Sequence, residues 1–90
     1  MVLIDISLPD MNGIELARRL RERHPTLILA ILSGHRQQHY VVQALQVGVQ
    51  GYILKGQSQL LPAAIRQLMQ GERYLSPAIQ VWFSDPSDKA

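Results

Sequence analysis

The sequence lacks cysteine and contains few aromatic residues and no long apolar run. Without cysteine it cannot form disulfides, use a thiol nucleophile or bind a metal through thiolates, which fits a reducing compartment. The longest apolar run, Leu27 to Leu32, has six residues, whereas a membrane-spanning helix needs roughly 18–20. Asp5 interrupts the amino-terminal apolar stretch, so we expect no export signal. The sequence therefore predicts a cytoplasmic protein without a membrane partner.

Neither sign of charge dominates the sequence. Nine Lys and Arg residues and seven Asp and Glu residues leave a net charge of +2, which does not by itself indicate binding to nucleic acid or to an anionic membrane. Hydrophobic residues make up 47% of the 90 positions, as in globular proteins. This length suits one small domain with a limited core.

Three apolar segments alternate with three segments of helical periodicity. The predicted strands are Val2–Ile6, Leu27–Leu32 and Gly51–Lys55. The predicted helices begin near Ile14, Gln37 and Ser58, with N-caps at Asn12 and Ser58 and stops at His24, Gly48 and Gly71. Continuous apolar strands that alternate with helices are typical of a parallel α/β sheet. The sequence thus predicts three parallel strands in the order βαβαβα, followed by a short C-terminal segment.

A polar residue lies at the carboxyl end of each predicted strand, namely Asp5, Ser33 and Lys55. In open parallel sheets this edge carries the reactive groups. A carboxylate at position 5 can attack phosphorus and form an acyl phosphate. A hydroxyl and an ammonium group beside it can bind phosphoryl oxygens. Each residue alone is more often a solvated strand end, but together they indicate phosphoryl chemistry.

Several segments resemble the receiver domains of bacterial two-component response regulators. Leu3–Gly13 is similar to the phosphoacceptor stretch, Leu32–His35 to the strand with the Ser or Thr, and Ala44–Lys55 to the segment that ends in the invariant lysine. The intervals between Asp5, Ser33 and Lys55 suit that family. Gly71–Pro77 resembles the end of the receiver in the subfamily with a helix-turn-helix output domain.

This resemblance implies a partial flavodoxin-like receiver fold and a phosphorelay module that is not an independent enzyme. It makes Asp5 the phosphoacceptor, with Ser33 and Lys55 reading the phosphorylated state. Tyr52 matches the aromatic residue whose rotamer changes when such domains are activated. Asp5 and the backbone carbonyl of Ser7 match Mg²⁺ ligand positions. The implied partner is a sensor histidine kinase that donates the phosphoryl group.

Two parts of the family pattern are missing from the sequence. The strand that carries a pair of acids does not precede Asp5, and no helix-turn-helix follows Pro77, so no nucleic-acid partner is expected. We therefore expect a receiver truncated at its amino end over residues 1–77, and a partly disordered tail over residues 78–90. Asp10 is the only spare acid nearby. Mg²⁺ binding should be weak or absent, and phosphoryl transfer impaired.

The family topology places the strand Val2–Ile6 beside a strand that this sequence lacks. An apolar edge strand invites pairing with another chain. The sequence therefore predicts a homodimer or higher oligomer through this strand and the helix after Ser58. Ile79, Trp82 and Phe83 are predicted to fold back over the core.

Two alternative functions stay open at this point. The first is a fragment of a haloacid-dehalogenase-type phosphohydrolase, which also uses Asp, Ser or Thr, and Lys at strand ends. Ser7 stands where that family normally has a second acid. The second is a self-association module that is never phosphorylated.

Overall fold

The chain folds into alternating strands and helices. The computed structural model describes residues 1–6, 11–34 and 38–83, without the side chains of residues 11, 12 and 83. The strands are β1 (Val2–Ile6), β2 (Leu29–Ser33), β3 (Gly51–Leu54) and β4 (Tyr74–Leu75). The helices are α1 (Met11–Arg23), α2 (Gln38–Gln46), α3 (Leu61–Met69) and α4 (Pro77–Phe83), and a 3₁₀ segment (Lys55–Leu60) joins β3 to α3.

The described residues form one parallel sheet in the order β1-β2-β3-β4. This confirms the predicted parallel α/β architecture. The sheet has a fourth strand, β4, within the C-terminal segment for which no strand is predicted. Its two residues pair with the outer edge of β3, where the Tyr74 N–H donates to the Gln50 carbonyl at 3.0 Å. The pairing satisfies backbone groups at an edge that would otherwise need water.

Helices cover both faces of the sheet. Helices α1, α2 and α4 share the larger core cluster with one face, and α3 covers the other face through Ala64 and Leu68. Helix α1 approaches β1 closely at Gly13, where a Cβ on that residue would clash with the Ile6 side chain. Glycine there lets the helix pack directly over the strand that carries Asp5.

Two predicted helix N-caps were wrong. Helix α1 begins at Met11, so Asn12 lies inside it, and α3 begins at Leu61 with Leu60 as its N-cap residue. Ser58 lies instead in the 3₁₀ segment, because Pro62 occupies the first turn of α3, where a missing N–H costs nothing. The predicted stops are confirmed: α1 ends at Arg23, directly before His24, and both glycines have positive φ, 106° at Gly48 and 88° at Gly71.

Helix α4 packs back on the core. Ile79 is fully buried and Trp82 is half-buried against the larger cluster. Their predicted docking is therefore confirmed, while the side chain of Phe83 is not described. The tail predicted after residue 77 begins with this helix, and residues 84–90 lie outside the described residues.

Truncation of Ile79 tests whether α4 stabilises the domain. We expect Ile79→Ala to lower the free energy of unfolding by about 2–4 kcal/mol, because it leaves a cavity against the sheet. Val81→Ala is the matched control: Val81 is 66% exposed, so its change should stay within about 0.5 kcal/mol. Urea denaturation followed by Trp82 fluorescence measures both. Equal effects of the two variants would show that α4 is not docked in solution.

Candidate functional site

The carboxyl ends of β1, β2 and β3 bring the predicted residues to one edge of the sheet. Asp5 lies near the end of β1, Ser33 ends β2, and Lys55 directly follows β3. The Lys55 ammonium Nζ lies 2.8 Å from Asp5 Oδ1. The structure thus joins two of the three residues in an ion pair, although they are far apart in sequence.

The ion pair is open to solvent. The Asp5 side chain is 62% exposed and the Lys55 side chain 39% exposed. An exposed pair adds at most about 1 kcal/mol to stability, so its importance lies in placement. A carboxylate that a phosphodonor can reach has a cation beside it, and that cation can offset the charge on incoming phosphoryl oxygens.

Ser33 and Tyr52 form a second pair, which is buried. Both residues are fully buried, and their side chains share a hydrogen bond. Burial raises the pKa of Tyr52 above its ordinary value, and the hydrogen bond with Ser33 opposes part of that rise. The Tyr52 ring also meets the ring of Tyr40 edge to face, with centroids 6.5 Å apart and planes at 83°. The Ser33 hydroxyl is thereby connected through Tyr52 to helix α2.

Tyr40 and Ser76 are not among the site residues predicted from the sequence. Tyr40 follows the pattern of the buried face of α2, which it shares with Val41 and Ala44, and no sequence signal marks its contact with Tyr52. The Ser76 hydroxyl accepts a hydrogen bond from the Leu54 N–H at 2.8 Å, across 22 positions of sequence. A serine before a proline at a helix start was the only available hint.

The described residues do not by themselves fit a Mg²⁺ site. Ser7 and Asp10 lie outside the described residues. Within the part of the chain that the structure describes, no three His, Asp or Glu side chains form a group that could hold a metal ion. Mg²⁺ commonly takes one or two carboxylates together with waters and phosphate oxygens. Asp5 could supply one of them, but it is already paired with Lys55.

The sheet order, the strand-end carboxylate and its lysine define an α/β module suited to phosphoryl transfer. The family model described as "Response regulator receiver domain" matches residues 1–66 of this chain. The chain therefore belongs to the response regulator receiver domain family.

The chain is similar to response regulators and transcriptional regulators. The chain is 35% identical over 80 residues to the transcriptional regulatory protein DegU of Brevibacillus brevis, a match that covers 88% of this chain and 34% of DegU. It is 31% identical to the response regulator GacA of Pseudomonas aeruginosa, covering 88% of this chain and 37% of GacA. The chain thus spans about a third of the length of these relatives.

Solved structures agree on the fold. A two-component response regulator of the LuxR family from Aurantimonas sp. SI85-9A1 superposes with a TM-score of 0.80 at 30% identity, covering 89% of this chain and 58% of that chain. The isolated REC domain of RcsB from Salmonella enterica serovar Typhimurium, solved with phosphomimetic BeF₃⁻, has a TM-score of 0.73 at 22% identity. It covers 87% of this chain and 59% of that domain, and shows the fold alone.

These matches give no support to the phosphohydrolase alternative.

The helices can also be compared with the length and composition of a membrane-spanning helix. Among the residues that the structure describes, no helix has the length and apolar character needed to cross a bilayer.

Alkaline titration tests the Ser33–Tyr52 pair. Because the Tyr52 pKa is higher in the folded chain than in the unfolded one, folding favours the protonated phenol. Its stabilisation is complete below about pH 10, the ordinary tyrosine pKa, and is lost as pH rises through the folded-state pKa. We expect the free energy of unfolding to fall less steeply above pH 10 in Tyr52→Phe than in the wild type.

Urea denaturation across this pH range measures the difference. Tyr74→Phe is the matched control, because it removes a phenol from β4 and leaves the Ser33–Tyr52 pair intact. At neutral pH, Tyr52→Phe should also cost about 1 kcal/mol for the lost hydrogen bond. Identical alkaline slopes in the wild type and Tyr52→Phe would contradict this interpretation.

Proposed function

We propose that this receiver domain accepts a phosphoryl group on Asp5 in a two-component phosphorelay. The observation that carries the proposal is the 2.8 Å contact between Lys55 Nζ and Asp5 Oδ1 at the carboxyl ends of the strands. It supports a signalling module whose phosphorylated and unphosphorylated states differ in their contacts. The module is not an enzyme that turns over a substrate.

The proposed step needs a nucleophile and a cation. A carboxylate oxygen of Asp5 attacks the phosphorus of the donor, the bond from phosphorus to the donor breaks, and the donor leaves with that electron pair. The product is an acyl phosphate on Asp5. Lys55 offsets the negative charge of the transferred group, and the Ser33 hydroxyl hydrogen-bonds one of its oxygens. Since Ser33 shares its hydrogen bond with Tyr52, this change reaches Tyr52.

The proposed phosphodonor is a sensor histidine kinase in the cytoplasm. We propose weak Mg²⁺ binding and slow phosphoryl transfer for this 90-residue chain. Asp5 is already paired with Lys55, and the described residues bring no group of three potential metal ligands together. DegU is named a transcriptional regulatory protein. We accordingly propose that a whole protein containing these residues controls transcription. The described residues themselves are not proposed to contact nucleic acid.

Phosphoryl labelling tests the role of Asp5. Incubation with acetyl phosphate and Mg²⁺ should add a single phosphoryl group slowly and to a minor fraction of the chain. Intact-mass spectrometry measures the gain, and Asp5→Asn should abolish it. Glu15→Gln, at an acid on α1, is the matched control and should label as the wild type does. Labelling that persists in Asp5→Asn would overturn Asp5 as the acceptor, and fast, complete labelling would overturn the proposed weak metal binding.

We propose in addition that the chain associates with a second copy of itself through β1. Within the described sheet, β1 is an edge strand, and its Leu3 side chain is only half-buried on the face that α3 covers, as is Leu61 of α3. Paired edges satisfy backbone groups and cover apolar side chains, most simply about a two-fold axis.

Sedimentation equilibrium at micromolar concentration tests self-association. The wild-type chain should sediment as a dimer or higher oligomer, and Leu3→Lys should dissociate or unfold it. The matched control is Gln38→Lys, at an exposed position at the start of α2, which should leave the assembly intact. A folded 10.2 kDa monomer of the wild type would overturn the proposal.

A further inference from the structure

Ser76 joins the sheet to helix α4. It follows β4 directly and is fully buried. Its carbonyl accepts hydrogen bonds from the N–H groups of Ile79 at 2.8 Å and Gln80 at 3.0 Å. The backbone carbonyl of Ser76 is therefore committed to the first turn of α4.

The Ser76 hydroxyl takes the place of that carbonyl in the sheet. Continued past Leu75, the parallel register would place Ser76 opposite Ile53, with its N–H bonded to one neighbour of Ile53 and its carbonyl to the other. The first bond is present, from the Ser76 N–H to the Tyr52 carbonyl at 3.0 Å. In place of the second bond, the Leu54 N–H donates to the side-chain hydroxyl Oγ of Ser76, at 2.8 Å, and not to its carbonyl. One residue thus ends the sheet and begins the helix.

These two bonds hold the part of β3 that leads into the functional site. Tyr52 carries the phenol that shares a hydrogen bond with Ser33, and Leu54 directly precedes Lys55. A further contact links the same regions, because the Ala78 N–H of α4 lies 3.5 Å from its acceptor, Gln57 Oε1. Ser76 therefore contacts the segment before Lys55, and helix α4, which follows it, contacts the segment after Lys55.

An open cleft lies where these segments meet. It has a volume of about 240 Å³ and is lined by Gly34, Leu54, Gly56, Gln57 and Ala78. Close-packed interiors resist small displacements, whereas a cleft open at the surface leaves room for the first turn of α4 and the Lys55 segment to shift together.

We propose that Ser76 is a positioning residue for Lys55, through which the docking of α4 and the Asp5–Lys55 ion pair are energetically coupled. Loss of the ion pair loosens α4, and loss of the Ser76 hydroxyl displaces Lys55, because coupling between two sites is reciprocal. That a phosphoryl group on Asp5 is the natural trigger rests on the proposed function. The coupling itself rests on the contacts of Ser76 and Gln57.

The test perturbs each end and observes the other, without any phosphodonor. Asp5→Asn weakens the ion pair, and the readouts at the far end are hydrogen exchange of the Ile79 amide and acrylamide quenching of Trp82, the chain's single tryptophan. Protection of the Ile79 amide should fall about five-fold or more, the lower end of coupling between linked sites. Quenching of Trp82 should rise with it.

The reverse arm removes the hydroxyl. Ser76→Ala should shift the backbone amide resonances of Lys55 and Asp5, and Ser76→Thr, which keeps a hydroxyl, should restore them. Ser58→Ala, at an exposed serine of the 3₁₀ segment, is the matched control and should leave both resonances unchanged. Should far-UV circular dichroism show that Ser76→Ala unfolds, the Asp5→Asn arm decides alone.

Wild-type exchange at Ile79 and wild-type quenching of Trp82 in Asp5→Asn would overturn the inference. A folded Ser76→Ala variant with unshifted Lys55 and Asp5 resonances would overturn it as well. If both arms show coupling and the chain takes no phosphoryl group from any donor, the coupling is supported and the proposed function is contradicted.

Discussion

The register of the parallel sheet is the constraint on which the functional site depends. Ser33 lies opposite Ile6 on one side and Leu54 on the other, so the carboxyl ends of three strands stop at one level. A slip of one residue would move a strand end by about 3.3 Å and turn its side chains to the other face. The 2.8 Å contact between Lys55 and Asp5 could not survive it.

The opposite end of the sheet holds this register in place. Gln50 Oε1 accepts hydrogen bonds from the Leu29 N–H and from Arg21 Nη2, both at 2.9 Å, and Arg21 Nη2 also donates to the Gly48 carbonyl at 2.8 Å. One glutamine and one arginine thus tie the start of β2 to the turn before β3 and to helix α1. Ser76 performs the matching task where β3 ends. The site lies at the end of the sheet that Ser76 holds.

The sequence predicted the parts of this structure that depend on local pattern. The apolar strands, the glycine stops and the strand-end residues Asp5, Ser33 and Lys55 all follow from composition and periodicity. Features that depend on contacts far apart in sequence were missed, such as the bond of Ser76 to Leu54, and β4 is too short to leave a periodic signal. The N-caps at Asn12 and Ser58 were wrong because cap preference alone does not fix where a helix begins.

The position of the phosphoryl group tests the central claim most directly. Borohydride reduces an acyl phosphate to an alcohol and so marks the labelled carboxylate permanently for tandem mass spectrometry. After treatment with a small phosphodonor, the account predicts that the reduced residue is Asp5 and that every other Asp and Glu is intact. Reduction at another carboxylate, or a phosphate ester on Ser33 with Asp5 unmarked, would contradict it.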